Sequence, residues 1–536
     1  MGYEYVIFIL AIFFFIYLIA IWSLHFLSLI YGKYKFHKKP KVKIEQEKLP
    51  GVSIIKPLMG VDDNLKDNLE TFFVMDYPLY ELLFCVQDVN DPAINVVKSL
   101  IEQYSHIDAK LFCGGKVVGI NPKINNMEQG YQVAKYDLML ISDAGIQMAK
   151  DTLYDMVSLM TDKVGLVHQM PFTCDRPNFS GALEKVYFGT CHCRMYLFIN
   201  LIGINCVTGM SCLMRKAVLD SLGGLQKFGN YIAEDYFLAQ AFLDNKWIIQ
   251  LSHQPAIQNA ATYSVPIWQK RMIRWCKLRL KLNIMSWLEP MQECFMLGLC
   301  TCWTVNVLFG WNSLVFFLFH VLCWLISDYT LLKITQNGKL PFSKLDYVLS
   351  WLYRESICYY LFVKAASNPT VRWRDGKYRL KWGGLAEEII DDSRPSVPKS
   401  HGTSSTLIVS NKSINNKIKK PSTSHKRTSS YSVNMKSSPT TNSNSYNSDI
   451  ENSSSIPLLS QISPTHSNTQ INKNLLNTST SSNSRLNRVT MHQHHHSISN
   501  PMTNNNNYPS PPMVLDKEQQ SSSILIDMNE QETKLN

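Results

Sequence analysis

The chain has 536 residues, 13 cysteines and a formal net charge of +11. The length excludes one small domain, and the cysteines, lacking framework spacing, exclude a disulfide scaffold. Through the first three-quarters the basic residues collect at the edges of apolar runs, which points to a membrane surface and away from nucleic acid.

Val6 to Trp22 is unbroken apolar sequence and continues through Ser23, His25 and Ser28 to Ile30. A span needs about 20 apolar residues and a signal-peptide core only about 7–15, so residues 1–31 are predicted to be a retained transmembrane anchor. Lys33, Lys35, Lys38, Lys39, Lys41 and Lys43 come directly after it, and only Glu4 precedes it as a charged side chain. The positive-inside bias puts the linker 32–50 and the domain after it in the cytosol, and the N-terminus in the lumen.

Residues 51–290 alternate strand-like and helix-like pieces. Val52–Lys56, Tyr80–Gln87, Ala109–Cys113, Asp137–Ser142 and Leu166–Met170 read as strands. Asn64–Phe73, Ala93–Tyr104 and Asp151–Met160 read as helices. Continuous apolar strands alternating with helices predict an α/β domain with a mainly parallel sheet covered on both faces. Ligands of such sheets sit beyond the carboxyl ends of strands, where Asp88 and Asp143 fall. Cys191 and Cys193 flank His192 without the second ligand pair that zinc wants, so the cysteines read as free thiols of a reducing compartment.

A second apolar zone, Cys294 to Ser327, is divided by Gly310-Trp311-Asn312 and predicts a membrane hairpin. A third, Leu345 to Val363, is interrupted by Arg354 and Glu355, an ionisable pair that is costly at membrane depth unless paired or facing a cavity. Spanning and interfacial placements both stay open for it. Residues 291–370 are taken as membrane helices and 371–392 as a basic juxtamembrane segment. From about Asp392 the composition turns to Ser, Asn, Thr, Pro and His, and 393–536 is predicted to be disordered.

Three aspartates carry candidate chemistry. Asp88 fits turn chemistry or an acceptor for a nucleotide. Asp143, in Ser142-Asp143-Ala144-Gly145, fits a turn or a ligand for a divalent cation on a diphosphate. Asp235, in Glu234-Asp235-Tyr236, fits a helix N-cap or a catalytic base. Lys116 and Lys123 flank the Gly119-Ile-Asn-Pro loop and read as ordinary solvated lysines, with phosphate contact as the alternative. The stretch Gln269 to Lys281, rich in Lys and Arg and flanked by Trp268 and Trp287, fits an interfacial amphipathic helix. Arg there can also pair with phosphate oxygens.

Three spaced aspartates followed by Arg271-Met-Ile-Arg-Trp275 resemble the D, D, D, (Q/R)xxRW signature of GT-A glycosyltransferases. The wording is similar to one family in particular, the ceramide glucosyltransferases, through Cys85-Val-Gln-Asp88, Val118-Gly-Ile-Asn-Pro-Lys-Ile-Asn-Asn126, Val207-Thr-Gly-Met-Ser-Cys-Leu-Met-Arg-Lys216, Tyr231-Ile-Ala-Glu-Asp-Tyr-Phe237 and Phe342-Ser-Lys-Leu-Asp-Tyr347, over roughly residues 1–392. The resemblance implies a GT-A (nucleotide-diphospho-sugar transferase) catalytic domain between the anchor and the later membrane helices, in a multi-pass protein of the Golgi membrane or endoplasmic reticulum. It implies inverting transfer of glucose from UDP-glucose to ceramide. Asp88 is implied to hold the uridine, Asp143 the diphosphate with Mg2+ or Mn2+, and Asp235 to be the general base. His192, Arg271, Arg274 and Trp275 are implied to meet substrate. Two departures stand: Asp143 has no second carboxylate in its motif, and the box opens on Arg271 where related polysaccharide synthases have Gln. A processive polysaccharide synthase and a non-catalytic membrane adaptor are the rival readings.

Overall fold

The computed structural model describes residues 2–39, 45–260, 264–373, 376–389 and 407–410, all within one unit, Met1–Thr428. The first element, α1 (Gly2–Lys35), is one continuous helix. Its 34 residues rise about 50 Å, beyond the roughly 30 Å of a bilayer core, so the helix carries the first basic residues, Lys33 and Lys35, in its own last turn.

The α/β region begins with β1 (Val52–Leu58), α2 (Leu65–Phe73), β2 (Tyr80–Val86), α3 (Ala93–Gln103), β3 (Ala109–Cys113), α4 (Pro122–Val133) and β4 (Leu138–Ser142). It continues with β5 (Ile146–Gln147), α5 (Thr152–Ser158), β6 (Val164–His168), β7 (Pro171–Thr173), α6 (Phe179–Tyr187) and, after a π-turn Phe188–His192, α7 (Cys193–Leu201). β8 (Ser211–Arg215), α8 (Lys216–Ser221), α9 (Glu234–Asp244), β9 (Ile248–Leu251), β10 (Ala256–Gln258) and α10 (Val265–Leu282) complete it. β1 and β2 are buried along their whole length. Their alternate side chains feed two cores: Ile54, Leu82 and Leu140 pack on one face of the sheet, Ile55, Leu83 and Met139 on the other.

The main sheet runs β3-β2-β1-β4-β8-β6-β9. β3, β2, β1 and β4 are parallel as predicted, but β8 is antiparallel to both β4 and β6. This reversal matters for the site. Ser211 pairs with Ser142, so β8 starts where β4 ends, and the loop preceding β8 lies at the carboxyl edge beside Asp143.

A short stretch of 3-10 helix, Ile284–Gln292, leads into α11 (Cys294–Phe309), which a turn joins to α12 (Ser313–Gln336). Gly310 takes φ 68° at that turn, a conformation that costs glycine little. Phe15 meets Phe309 near the turn, while His37 reaches the Thr335 carbonyl at the far end of α12. α1 and α12 therefore run in one direction and α11 in the other, as expected of the predicted hairpin. α12 extends nine residues past Ser327 because Asp328 is fully buried and paired: it accepts from Arg194 on α7 (2.5 Å), lies 3.2 Å from His25 on α1, and accepts from Trp351 (2.9 Å). Breaking such a buried pair costs about 3–5 kcal/mol, so this contact ties the apolar helices α1 and α12 to the α/β region.

α13 (Lys344–Ala366) opens on a capping box in which Ser343 and Asp346 satisfy each other's backbone N–H. It packs along α6 and α10. Arg354 and Glu355 are buried, paired with each other (2.8 Å), and Arg354 also binds Glu293. That pairing is what the sequence left open. β11 (Thr370–Trp373), β12 (Gly376–Leu380) and β13 (Ala386–Glu388) form a small antiparallel sheet from the basic segment, closed by Val371, Tyr378 and Leu380 against Ile232 and Leu278. Within the stretch expected to be disordered, β14 (Leu407–Ser410) pairs antiparallel with β3. Its Leu-Ile-Val sequence suits an open sheet edge. The remainder of the predicted disordered tail lies outside the described residues.

Candidate active site

Asp88 and Asp143 lie just past parallel strands β2 and β4 and emerge on one edge of the sheet, with β1 between them. Two strand spacings put them on the order of 10 Å apart. Asp88 is exposed, and one of its oxygens accepts from the Asn90 backbone (2.9 Å), a turn bond. The turn reading of Asp88 is therefore occupied by one carboxylate oxygen.

The chemistry concentrates around Asp143 and Asp235. Lys123 reaches from the first turn of α4, where the Asn121 side chain caps the helix by accepting from the Lys123 and Ile124 backbone. Its Nζ lies 2.9 Å from Asp143 Oδ1 and 3.2 Å from Glu234 Oε1, and donates to the Gly209 carbonyl (3.0 Å). The Gly209 N–H donates to Asp235 Oδ2 (2.5 Å), and the Asp143 N–H to the Met210 carbonyl (2.9 Å). Gly209 is required here: an added Cβ would stand 2.9 Å from the Asp235 Cβ and 3.1 Å from Lys123 Nζ. One ammonium thus holds two carboxylates and the loop before β8, and that loop in turn holds Asp235 through the Gly209 N–H.

Asp235 is not a helix cap. The cap position of α9 is Ala233, and Asp235 sits in the first turn with Oδ1 on the Tyr236 N–H. Burial first, and the Glu234 charge second, raise its carboxyl to about 6, against the pull of Lys123 and the backbone donors. Burial works against the charged form of Lys123, yet Asp143, Glu234 and Asp235 keep its pKa above the usual lysine value. Beneath them Lys56 is fully buried, donates to the Asp143 carbonyl (2.7 Å), and is pushed well below the usual range by that burial.

Arg271, Trp275 and His192 gather separately. Arg271 donates to Glu184 (2.9 Å) and Gln258 (2.7 Å) and lies over the Trp275 ring at 4.6 Å. The His192 ring is 6.2 Å from Trp275 and stacks on Tyr196 at 5.4 Å. Burial depresses the His192 pKa to about 3, so the imidazole is neutral, and its Nδ1 is buried with no hydrogen-bond partner among the described residues. Burial first, with the Asp235 charge among the lesser causes, raises the Tyr196 hydroxyl well above its usual range. Arg274 is half-buried on the same helix as Arg271 and Trp275. That helix is not a free interfacial one: Trp268, Met272, Cys276 and Leu280 are buried between α6 and α13.

Glu234 is the member that sequence reasoning missed, and Lys123, expected to be an ordinary solvated lysine, is instead buried and paired. Lys123 carried a signal, the Asn-Pro-Lys helix start, but its partners lie 20 and 111 residues away. Glu234 was hidden by its neighbour Asp235, although the adjacent carboxylates were visible.

Could the site hold a divalent cation? Among the described residues no group of three metal-ligating side chains gathers. Asp143 commits Oδ1 to Lys123 and its side chain is 39% exposed. One carboxylate plus diphosphate oxygens suits Mg2+ and similar hard cations, so the residues fit a cation that arrives with a nucleotide.

A sequence profile described as Glycosyl transferase family 21 matches residues 20–386. Two nematode proteins from Caenorhabditis elegans are similar: ceramide glucosyltransferase 3, 44% identical over 70% of this chain and 82% of its own length, and ceramide glucosyltransferase 1, 41% identical over 69% and 79%. Among solved structures, a mannosyltransferase from Pyrobaculum calidifontis in complex with GDP-Man and Mn2+ is 15% identical, with a TM-score of 0.38 over 67% of this chain and 98% of that one.

Proposed function

The chain belongs to glycosyl transferase family 21, and from that premise we propose that it transfers glucose from UDP-glucose to the primary hydroxyl of ceramide with inversion, giving glucosylceramide. The observation that carries the mechanism is the Lys123-centred cluster, in which a carboxylate with a raised pKa is fixed by a backbone donor beside a second carboxylate at the strand edge.

In this reading Asp88 meets the uridine and Asp143 the diphosphate end, a separation that matches the one-strand gap between them. Mg2+ or Mn2+ held between Asp143 and the diphosphate would offset charge on the departing UDP. Arg271, held by Glu184 and Gln258, and Arg274 would supply positive charge toward the diphosphate. Asp235 takes the proton from the ceramide hydroxyl as it attacks the anomeric carbon. Displacement from the opposite face turns an α-linked donor into a β-glucoside. Neutral His192, with an unpaired ring nitrogen, and Trp275 offer a polar point and an apolar wall for the acceptor.

The catalytic region is read as cytosolic on a Golgi or endoplasmic reticulum membrane. Lys33, Lys35, Lys38 and Lys39 stand at the catalytic end of α1, and Glu4 at the other, as the positive-inside bias requires. The α11–α12 turn shares the side of the N-terminus.

The test is purified full-length protein in detergent with Mg2+ or Mn2+, offered ceramide and a panel of labelled UDP-sugars. Label from UDP-glucose is expected in a monohexosyl lipid. A polymeric product, or failure to bind any UDP-sugar, overturns the reading.

A further inference from the structure

Two exposed apolar elements stand at the catalytic ends of membrane helices. One is the loop after α7, with Ile202 and Ile204; the other is the 3-10 stretch before α11, with Ile284, Met285, Trp287 and Leu288. All six are 44–59% exposed. The Tyr31 hydroxyl on α1 donates to Asn200 (2.8 Å), anchoring the first element, and the second runs directly into α11 through Glu293, which Arg354 binds. Phe309 at the far end of α11 meets Phe15 on α1, and the 16 residues of α11 lead back to Cys294 while the same length of α1 leads on to Tyr31, so both elements stand at one level along these helices.

Large apolar side chains grouped on exposed elements in this way mark an interaction surface. Continuity with two spanning helices identifies the cover as the bilayer, and an exposed Trp at that level is the usual headgroup-depth anchor. The loop is also connected to the acidic cluster. Asn205 donates to the carbonyl of Tyr236 (2.7 Å), the neighbour of Asp235, and accepts from the Val207 N–H (3.1 Å). Gly209, four residues on, holds Asp235 itself. One segment, residues 200–209, therefore touches a membrane helix at its start and the acidic cluster at its end.

We infer that the 201–204 loop and the 284–288 stretch dip into the headgroup layer of the leaflet facing the catalytic region and form the surface across which acceptor lipid moves to Asp235. This rests on the reading of Asp235 as base and of ceramide as acceptor. The loop then positions lipid; it takes no part in proton transfer.

The test uses the full chain in phosphatidylcholine nanodiscs, carrying Ile202→Glu with Ile204→Glu, or Ile204→Leu as the conservative control. A charge at headgroup depth opposes insertion. The double variant should raise the apparent KM for long-chain ceramide embedded in the bilayer about tenfold. It should leave UDP affinity, and turnover of a short-chain ceramide in detergent micelles, unchanged. Brominated lipid should quench a component of the emission that Trp287→Phe removes. An unchanged KM, equal loss on both acceptors, no quenching at Trp287, or a dimer that the Glu residues dissociate each overturns the inference. The base reading fails separately, through retained turnover in Asp235→Asn on the short-chain acceptor.

Discussion

Asp235→Asn should lower kcat for ceramide glucosylation by roughly 10²–10⁴-fold, the usual worth of general-base help, with UDP affinity essentially unchanged. The substitution keeps the size of the side chain and an oxygen that can accept from the Gly209 N–H, so the loop before β8 should hold its shape. It removes the charge that takes the proton. As the proposed base Asp235 works deprotonated, and burial raises its carboxyl to about 6. In the wild type kcat/KM for the free enzyme should therefore fall about tenfold per unit as pH drops below that value, and the residual activity of Asp235→Asn should lose this acid limb. Steady-state kinetics across pH, with thermal melts as the folding control, give both results. Near-wild-type turnover in Asp235→Asn would remove the base assignment.

Lys123→Met should act on stability and chemistry together. The lysine is nearly buried and is shared by Asp143, Glu234 and the Gly209 carbonyl. Removing one partner of a buried ion pair costs about 3–5 kcal/mol. The Asp143 side chain is 39% exposed, so solvent screening places the loss toward the low end, about 3 kcal/mol. The catalytic consequence has a defined sign. Lys123 lowers the Asp235 pKa against burial and Glu234; without it Asp235 holds its proton to higher pH, and the acid limb moves up. Lys123→Arg, which keeps the charge, should restore the limb toward wild type even where the longer side chain leaves kcat low. A Lys123→Met protein with wild-type stability and an unmoved acid limb would contradict the shared-cation account.

Much of the sheet was legible because burial on both faces demands continuous apolar strands, and β1, β2, β3 and β4 fall within about two residues of the expected segments. The antiparallel entry of β8 was not legible, since strand direction is set by the connection and not by local pattern. The turn between α11 and α12 could be read from the glycine break. The end of α12 could not, because Asp328 looks like a stop until Arg194, 134 residues away, pairs with it. Arg354 and Glu355 posed the same difficulty. At the site, Asp88 and Asp143 were singled out from strand ends, and Asp235 from its place at a helix start, with the resemblance favouring a base over a cap. Lys123 read as solvated because its burial comes from residues on α9 and the β8 approach, which no local window contains.

The most direct measurement is a structure of the full chain in a lipid nanodisc with UDP and Mn2+. The account predicts uracil beside Asp88, the diphosphate at Asp143 with one cation between them, and Lys123 still bound to Glu234. Nucleotide density away from Asp143, or on the far side of the sheet from Asp235, would contradict it.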